Sequence, residues 1–193
     1  MLDRKIFFDG VRPDLFGGTL TQEQVNGIVA ILDEWEARKL TDLRWLAYMF
    51  ATTYHETNMT MQPVREAYWL SEDWRRRNLR YYPWYGRGYV QLTWEENYKK
   101  MGRLLGIDLW GNLDLAMEPR IAAAIMFEGM MKADSGFGDF TGKCLEMYFN
   151  DTTDDPVGAR RIINGTDKAD LIAGYHHGFL DDLKRASSHG KAV

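Results

Sequence analysis

The chain has 193 residues, 45% of them apolar and 27% charged, with 24 basic against 28 acidic side chains for a net charge of −4. These values exclude a disordered chain and a surface built as a whole to attract nucleic acid, and no apolar run approaches the roughly 18 residues of a membrane span. A single cysteine, Cys144, excludes an internal disulfide framework. The aromatic residues are unevenly placed. Ten of the 26 fall between Tyr68 and Tyr98, where an even spread would put about four.

The first 40 residues read as a helical segment packed on the remainder of the domain. Thr21 to Arg38 places Val25, Ile28, Val29, Leu32 and Trp35 on one helical face, and Thr21 with Gln24 has capping-box spacing. Leu43 to Thr57 repeats the pattern through Leu46, Ala47, Phe50 and Tyr54, and Pro63 closes off any continuation. Glu72 to Leu79 reads as a short helix. Tyr81 to Leu92 holds Pro83, Gly86 and Gly88 and reads as turns, with a short strand at Tyr89–Leu92. Thr93-Trp94-Glu95-Glu96 has capping-box spacing and opens a helix with Trp94, Tyr98, Met101 and Leu105 on one face. Pro119 suits the first turn of a helix running to about Lys132. A glycine-rich loop, Gly136 to Gly142, precedes a helix near Cys144 to Phe149 and an Asp-rich turn ending in Pro156. Asp167 is placed to cap a last long helix with Leu171, Ile172, Tyr175, Phe179 and Leu183 inward, and the tail from 186 to 193 reads as frayed. With no repeat or composition break, residues 1–193 are expected to form one mainly α-helical domain with an irregular middle and at most a small β-hairpin.

Several chemistries fail on spacing. His55-Glu56-Thr57-Asn58-Met59 begins like a zinc-protease motif but lacks the second histidine four residues on, and adjacent His176 and His177 diverge on a helix. The 136–144 loop resembles a phosphate loop in composition only, and Cys144 reads as a small buried hydrophobe. The run Arg75-Arg76-Arg77 is either a solvated helix face or a local anion-binding patch. No metal and no cofactor are expected.

Glu56 ends an amphipathic helix, and Glu66 follows ten residues later, beyond Pro63. Two such carboxylates can face each other across a groove. Glycoside hydrolysis needs that pair, one to protonate the leaving oxygen and one to activate water or attack carbon. Met59, Met61 and nearby aromatics are expected to give Glu56 an apolar setting, and Arg65 and solvent to give Glu66 a polar one.

The segments Ala51–Thr57, Met61–Glu66, Tyr85–Trp94 with Asn97-Tyr98, and Arg160–Thr166 occur in the order found in glycoside hydrolase family 19, which the chain resembles from about Leu43 to Phe179. That family holds chitinases and bacteriophage endolysins on a lysozyme-like fold, and Leu2 to Arg38 resembles the leading segment of phage members. The resemblance implies that Glu56 is the general acid and Glu66 the base of an inverting mechanism. Thr93 matches a hydroxyl that holds the water, or else caps the following helix. Gln91, Asn97 and Asn164 match sugar-contacting amides, or else a structural network. His55 is expected to orient the helix end, and Arg87 either pins its loop or touches glycan. The aromatic segment then reads as the wall of a sugar cleft, with Tyr68, Trp84, Tyr85 and Tyr89 on the glycan and Trp94 and Tyr98 in the core.

Plant-type members of the family have a longer insertion between the two glutamates and carry disulfides; this chain has neither. Tyr89 stands where they have proline. These departures favour a peptidoglycan hydrolase of the endolysin type over a chitinase on the same scaffold; a non-catalytic glycan-binding or virion structural module is the other alternative. The expected setting is a monomer made in the host cytoplasm without a signal peptide. It would reach the peptidoglycan glycan strands with the help of a membrane-pore protein of the holin type, with no stable membrane insertion and no nucleic-acid partner.

Overall fold

The structure, a computed structural model, describes residues 2–133, 136 and 138–189. Among these it has eight α-helices and one two-stranded sheet. The organising element is α3, Leu43–Glu56, capped by Asp42, whose carboxylate accepts from the Arg44 N–H. Every residue from Leu46 to Tyr54 is buried, so α3 is a central helix rather than one with a single apolar face. Around it pack α8 (Ala169–His189) and α2 (Gln22–Ala37); α1 (Arg4–Phe16) lies on α8, and α6 (Pro119–Met130) lies on α2. Phe7, Phe50 and Phe179, from α1, α3 and α8, stack in series with ring centroids 5.4 and 5.3 Å apart.

The expected capping box of α2 is formed: the Thr21 hydroxyl accepts from the Gln24 N–H and the Gln24 side chain accepts from the Thr21 N–H. Its inward face is rotated from the expected one. Ile28, Ile31, Leu32 and Trp35 are buried, while Val25 and Val29 are only partly so. Gly27 lies where α2 passes the Met61 backbone, and a Cβ there would collide with the Met61 carbonyl oxygen.

The middle of the chain is irregular as expected, but its strand lies elsewhere. β1 (Val64–Arg65) pairs antiparallel with β2 (Arg87–Gly88), in the register Val64 to Gly88 and Arg65 to Arg87. The segment expected as a strand, Tyr89–Leu92, is instead a turn. Gly88 and Gln91 both have positive φ, and Arg87 and Leu92 exchange backbone hydrogen bonds of 3.2 and 2.9 Å. α4 (Glu72–Asn78) starts from a Ser71 cap, and α5 (Glu95–Leu105) follows. The Thr93 capping box does not form: the residue before α5 is Trp94, at φ 76°, with no side-chain cap.

Two 3₁₀ turns, Leu113–Met117 and Gly158–Ile162, and the short α7 (Leu145–Tyr148) complete the fold. α8 begins after Lys168, at φ 57°, so Asp167 does not stand directly before it. Leu171, expected inward, is exposed, and α8 runs on through His189, past the point where fraying was expected. The rest of that tail, like Asp134, Ser135 and Phe137 of the glycine-rich segment, lies outside the described residues.

His176 on α8 is fully buried against Tyr48 and Phe149, at ring-centroid distances of 5.8 and 5.2 Å. Burial pushes its pKa down to about 3. A histidine held neutral contributes stability that is present above its unfolded value near 6.5 and lost as pH falls toward 3. Below about pH 6.5, chemical denaturation followed down to pH 4.5 should therefore show the wild type losing roughly 1.4 kcal/mol per pH unit more steeply than His176→Phe. Parallel slopes would reject the assignment.

Candidate active site

A cavity of about 570 Å³ opens beside the end of α3, and both Glu56 and Glu66 line it. Glu56 is the last residue of α3, so the buried helix fixes its backbone. Beyond it the chain turns back sharply. Thr57 is fully buried, its hydroxyl donates to the Thr53 carbonyl at 2.7 Å and accepts from the Met61 N–H at 3.1 Å, and Asn58, Met59 and Met61 all have positive φ.

The setting of Glu56 is not the apolar one expected. Its Oε1 accepts from Arg160 Nη1 at 2.6 Å, and Met59 is exposed. Arg160 is 1% exposed and is itself anchored, its Nε donating to the Asp167 carbonyl at 2.9 Å. The guanidinium therefore cannot swing away without leaving a buried charge unpaired.

Glu66 follows β1 and is held from both sides. Tyr81 donates its hydroxyl to Oε1 at 2.6 Å, and the Gly86 N–H donates to Oε2 at 3.0 Å. Burial, and after it the bond to Glu66, pushes the Tyr81 hydroxyl up to about 12, so it stays a proton donor at neutral pH. Arg65 plays no part in this setting; it pairs with Asp114 at 2.6 Å.

The remaining walls come from four segments. Thr93 lines the cavity, and its hydroxyl donates to the Gln91 carbonyl at 2.7 Å instead of capping α5. Gln91 and Asn97 also line it, with their amide nitrogens donating to Val64 and Thr93 carbonyls at 3.0 and 2.8 Å. Asn164 closes one side, beside Ile163, after the turn that carries Arg160. Phe140 and Thr141 close another, and Thr141 ties that loop to the same turn by donating to the Arg161 carbonyl.

Several expected glycan contacts lie outside the cavity. Tyr85 is buried, donates to Glu72 and lies 3.7 Å beneath the Arg87 guanidinium. Tyr89 is buried and donates to the Gly27 carbonyl. Trp84 packs on the core and its carbonyl accepts from the Trp94 N–H. Tyr68 is exposed, against Trp69, and is not among the residues that line the cavity. Arg87 pins its loop, the first of its two expected roles, donating to the Pro83 and Tyr85 carbonyls and pairing with Asp114. His55, half-buried, is not among the lining residues, and burial lowers its pKa. No group of three or more metal-ligating side chains occurs among the described residues.

Two aromatics not expected there, Trp94 and Tyr81, line the cavity. Trp94, expected in the core, is 46% exposed and lines the cavity, because its positive φ turns it away from the buried face of α5. Tyr81 packs against it, the ring planes tilted by 58° and the centroids 4.8 Å apart. No periodicity marks Tyr81, which stands 15 residues from its partner Glu66. Arg160 did carry a signal, since it opens the same segment as Asn164.

Residues 37–136, just over half of the chain, match the family profile described as chitinase class I. The chain belongs to glycoside hydrolase family 19. Glu56, Glu66 and Thr93 fall inside the matched region, and Arg160 and Asn164 beyond it. Among family relatives, Chitinase 8 of Oryza sativa is 38% identical over 76 residues, covering 37% of this chain and 28% of that one. Basic endochitinase CHB4 of Brassica napus is 35% identical over 86 residues, covering 41% and 32%. An inactive chitinase-like protein of Hevea brasiliensis is 47% identical over 47 residues, covering 23% and 15%. The chain thus spans about a third or less of these curated relatives. Chitinase C from Streptomyces griseus has the same fold, with a TM-score of 0.60 at 19% identity over 95% of this chain and 76% of that one. The mainly helical, lysozyme-like fold is that of the family.

The arginine run divides sharply. Arg75 is buried and gathers the carbonyls of Glu66, Ala67 and Leu70, so it shapes the loop that follows Glu66. Arg76 and Arg77 are exposed and pair with Asp73. Arg75→Ala should cost roughly 2–4 kcal/mol in urea unfolding, because it strands buried carbonyls. Arg76→Ala with Arg77→Ala should stay within about 0.5 kcal/mol. Equal costs for the two changes would contradict this division.

Proposed function

We propose that the protein is a peptidoglycan hydrolase that cleaves the β-1,4 glycosidic bond by two-carboxylate acid–base catalysis with inversion. The observation that carries this reading is the pair itself: Glu56 and Glu66 line one cavity, each fixed by different donors. Arg160 occupies Oε1 of Glu56, which leaves Oε2 to carry the proton toward the glycosidic oxygen. As the C–O bond breaks, that proton passes to the leaving oxygen, and Arg160 stabilises the carboxylate left behind. Glu66, fixed as an acceptor by Tyr81 and Gly86, takes a proton from water as the water oxygen bonds to the anomeric carbon from the opposite face. The Thr93 hydroxyl proton is committed to the Gln91 carbonyl, so its oxygen is free only to accept, and a water is the donor it suits.

The peptidoglycan substrate is supported by the resemblance to phage endolysins, by the ten-residue spacing of the glutamates and by the lone, buried Cys144. In such a setting a membrane-pore protein supplies the route to the wall; no helix among the described residues is long and apolar enough to cross a membrane. A chitinase is the second reading, favoured by the names of the curated relatives.

Glu56→Gln and Glu66→Gln should each lower clearing of purified peptidoglycan by about 10²–10⁴-fold with the melting temperature retained. More than a tenth of the activity surviving in Glu56→Gln would reject its role as the acid. Tyr81→Phe should lower kcat about ten-fold with little change in KM, since it orients Glu66 without bearing a reacting proton. Mass spectrometry of reduced digests identifies the bond cut; new reducing ends from chitin but none from peptidoglycan would select the second reading.

A further inference from the structure

A second cavity, also of about 570 Å³, lies along α5 between Lys99 and Trp110. At 100° per residue, Asn97 faces the catalytic cavity, whereas Lys99, Gly102 and Arg103 lie on the other side of the same helix, with its cap residue Gly106 beyond them. Trp110 lines this second cavity and is 54% exposed. It is nonetheless held still. Its indole N–H donates to Glu95 Oε1 at 3.2 Å, and the Lys99 ammonium lies 5.7 Å from the ring centroid, paired in turn with Glu95 at 2.8 Å.

The loop that carries the tryptophan is fixed as well. Ile107 donates to the Gly102 carbonyl at 3.0 Å, Asn112 donates to the Asp108 carbonyl at 3.1 Å, and Leu109 beside Trp110 is fully buried. The Gly111 N–H donates to the Asp108 carboxylate at 2.7 Å, and that carboxylate leaves no room for a Cβ at Gly111. The loop thus holds an indole ring half in water, with its one polar atom already bonded to Glu95. Such a ring presents apolar area with little motion left to lose on binding. Arg103 and Asp108 line the same cavity and supply donors and an acceptor beside the ring.

We propose that this cavity is a second glycan-binding site, in which one pyranose of a β-linked N-acetylated amino-sugar chain stacks on Trp110 while Arg103 and Asp108 bond its hydroxyls. The proposal rests on reading the first cavity as that of a glycosidase acting on such chains. Two sites on opposite sides of α5 engage an insoluble polymer at two points, so that once one is occupied the other meets glycan at high effective concentration.

Binding is measured in the Glu56→Gln background, by pelleting with insoluble chitin and with purified peptidoglycan. Trp110→Ala added to that background should weaken pelleting about ten-fold, the loss of one stacked aromatic contact. In the otherwise wild-type chain, Trp110→Ala and Arg103→Ala should each slow hydrolysis of the insoluble polymer several-fold. Both should leave kcat/KM on a soluble N-acetylglucosamine hexamer unchanged, with circular dichroism and melting temperature as in the parent. Unchanged pelleting overturns the proposal. Equal losses on the hexamer and the polymer overturn it too, because they place the effect in the catalytic cavity. If the wild-type chain hydrolyses neither substrate, the glycosidase reading fails by itself, and the pelleting comparison still decides the role of Trp110.

Discussion

Between Thr57 and Trp94 the chain makes only two two-residue strands and one short helix, so most of its backbone carbonyls have no ladder to join. A buried carbonyl without a donor is costly, and here the donors are buried guanidinium groups. Arg87 takes the Pro83 and Tyr85 carbonyls and the Tyr98 hydroxyl, and lies 3.7 Å over the Tyr85 ring. Arg75 takes three further carbonyls, those of Glu66, Ala67 and Leu70, and faces Tyr85 at 5.3 Å. Arginine suits this work because its planar fork offers several donors at fixed angles while its face stacks on an aromatic ring. The two guanidiniums thus do for the irregular segment what hydrogen-bond ladders do elsewhere, and Glu66 inherits its position from the loop they hold.

The two glutamates differ in how they are fixed, and the difference follows from where each sits in the chain. Glu56 belongs to the most buried helix of the protein and meets a charge, Arg160, brought from 104 residues away. Glu66 sits on a loop and meets neutral donors, Tyr81 and the Gly86 N–H, from within the same irregular segment. A charged partner holds one oxygen of Glu56 strongly and leaves the other unengaged. Neutral donors hold both oxygens of Glu66 and orient the whole group. The acid–base roles proposed for them ask for this inequality, since an acid must release a proton along a single direction and a base must receive one at a fixed place.

The helices were legible because their signals are local. The Thr21–Gln24 box, the Pro119 start and the apolar run of α3 each act within a few residues, and each formed as its sequence directs. Glu56, Glu66, Thr93, Gln91, Asn97 and Asn164 were legible through ordered motifs, and all six line one cavity. What escaped depends on distant partners. Tyr85 and Tyr89 look like sugar contacts by residue type, yet one is claimed by Glu72 and Arg87 and the other by the Gly27 carbonyl. Trp94 looks like a core residue by helical spacing, and the spacing misleads because a left-handed residue cannot be part of the helix it precedes.

That left-handed residue belongs to a pattern. Of the eight non-glycine residues with positive φ among those described, six, namely Asn58, Met59, Met61, Ala67, Gln91 and Trp94, lie between the end of α3 and the start of α5. Each such residue costs roughly 1–2 kcal/mol relative to ordinary backbone, more than an irregular segment would retain for its own stability. Asn58, Met59 and Met61 follow Glu56, and the buried Thr57 hydroxyl bridges that turn. Ala67 follows Glu66, and Arg75 takes its carbonyl. Gln91 and Trp94 flank Thr93, and the amide nitrogen of Gln91 bonds back to the Val64 carbonyl of β1. The strain is therefore placed next to Glu56, Glu66 and Thr93 and nowhere else in quantity, and in each case a hydrogen bond from elsewhere in the segment holds it. Relaxing any of these turns would turn a cavity-lining side chain off its wall, which is why the cost is carried here and why a regular helix or strand cannot replace the segment.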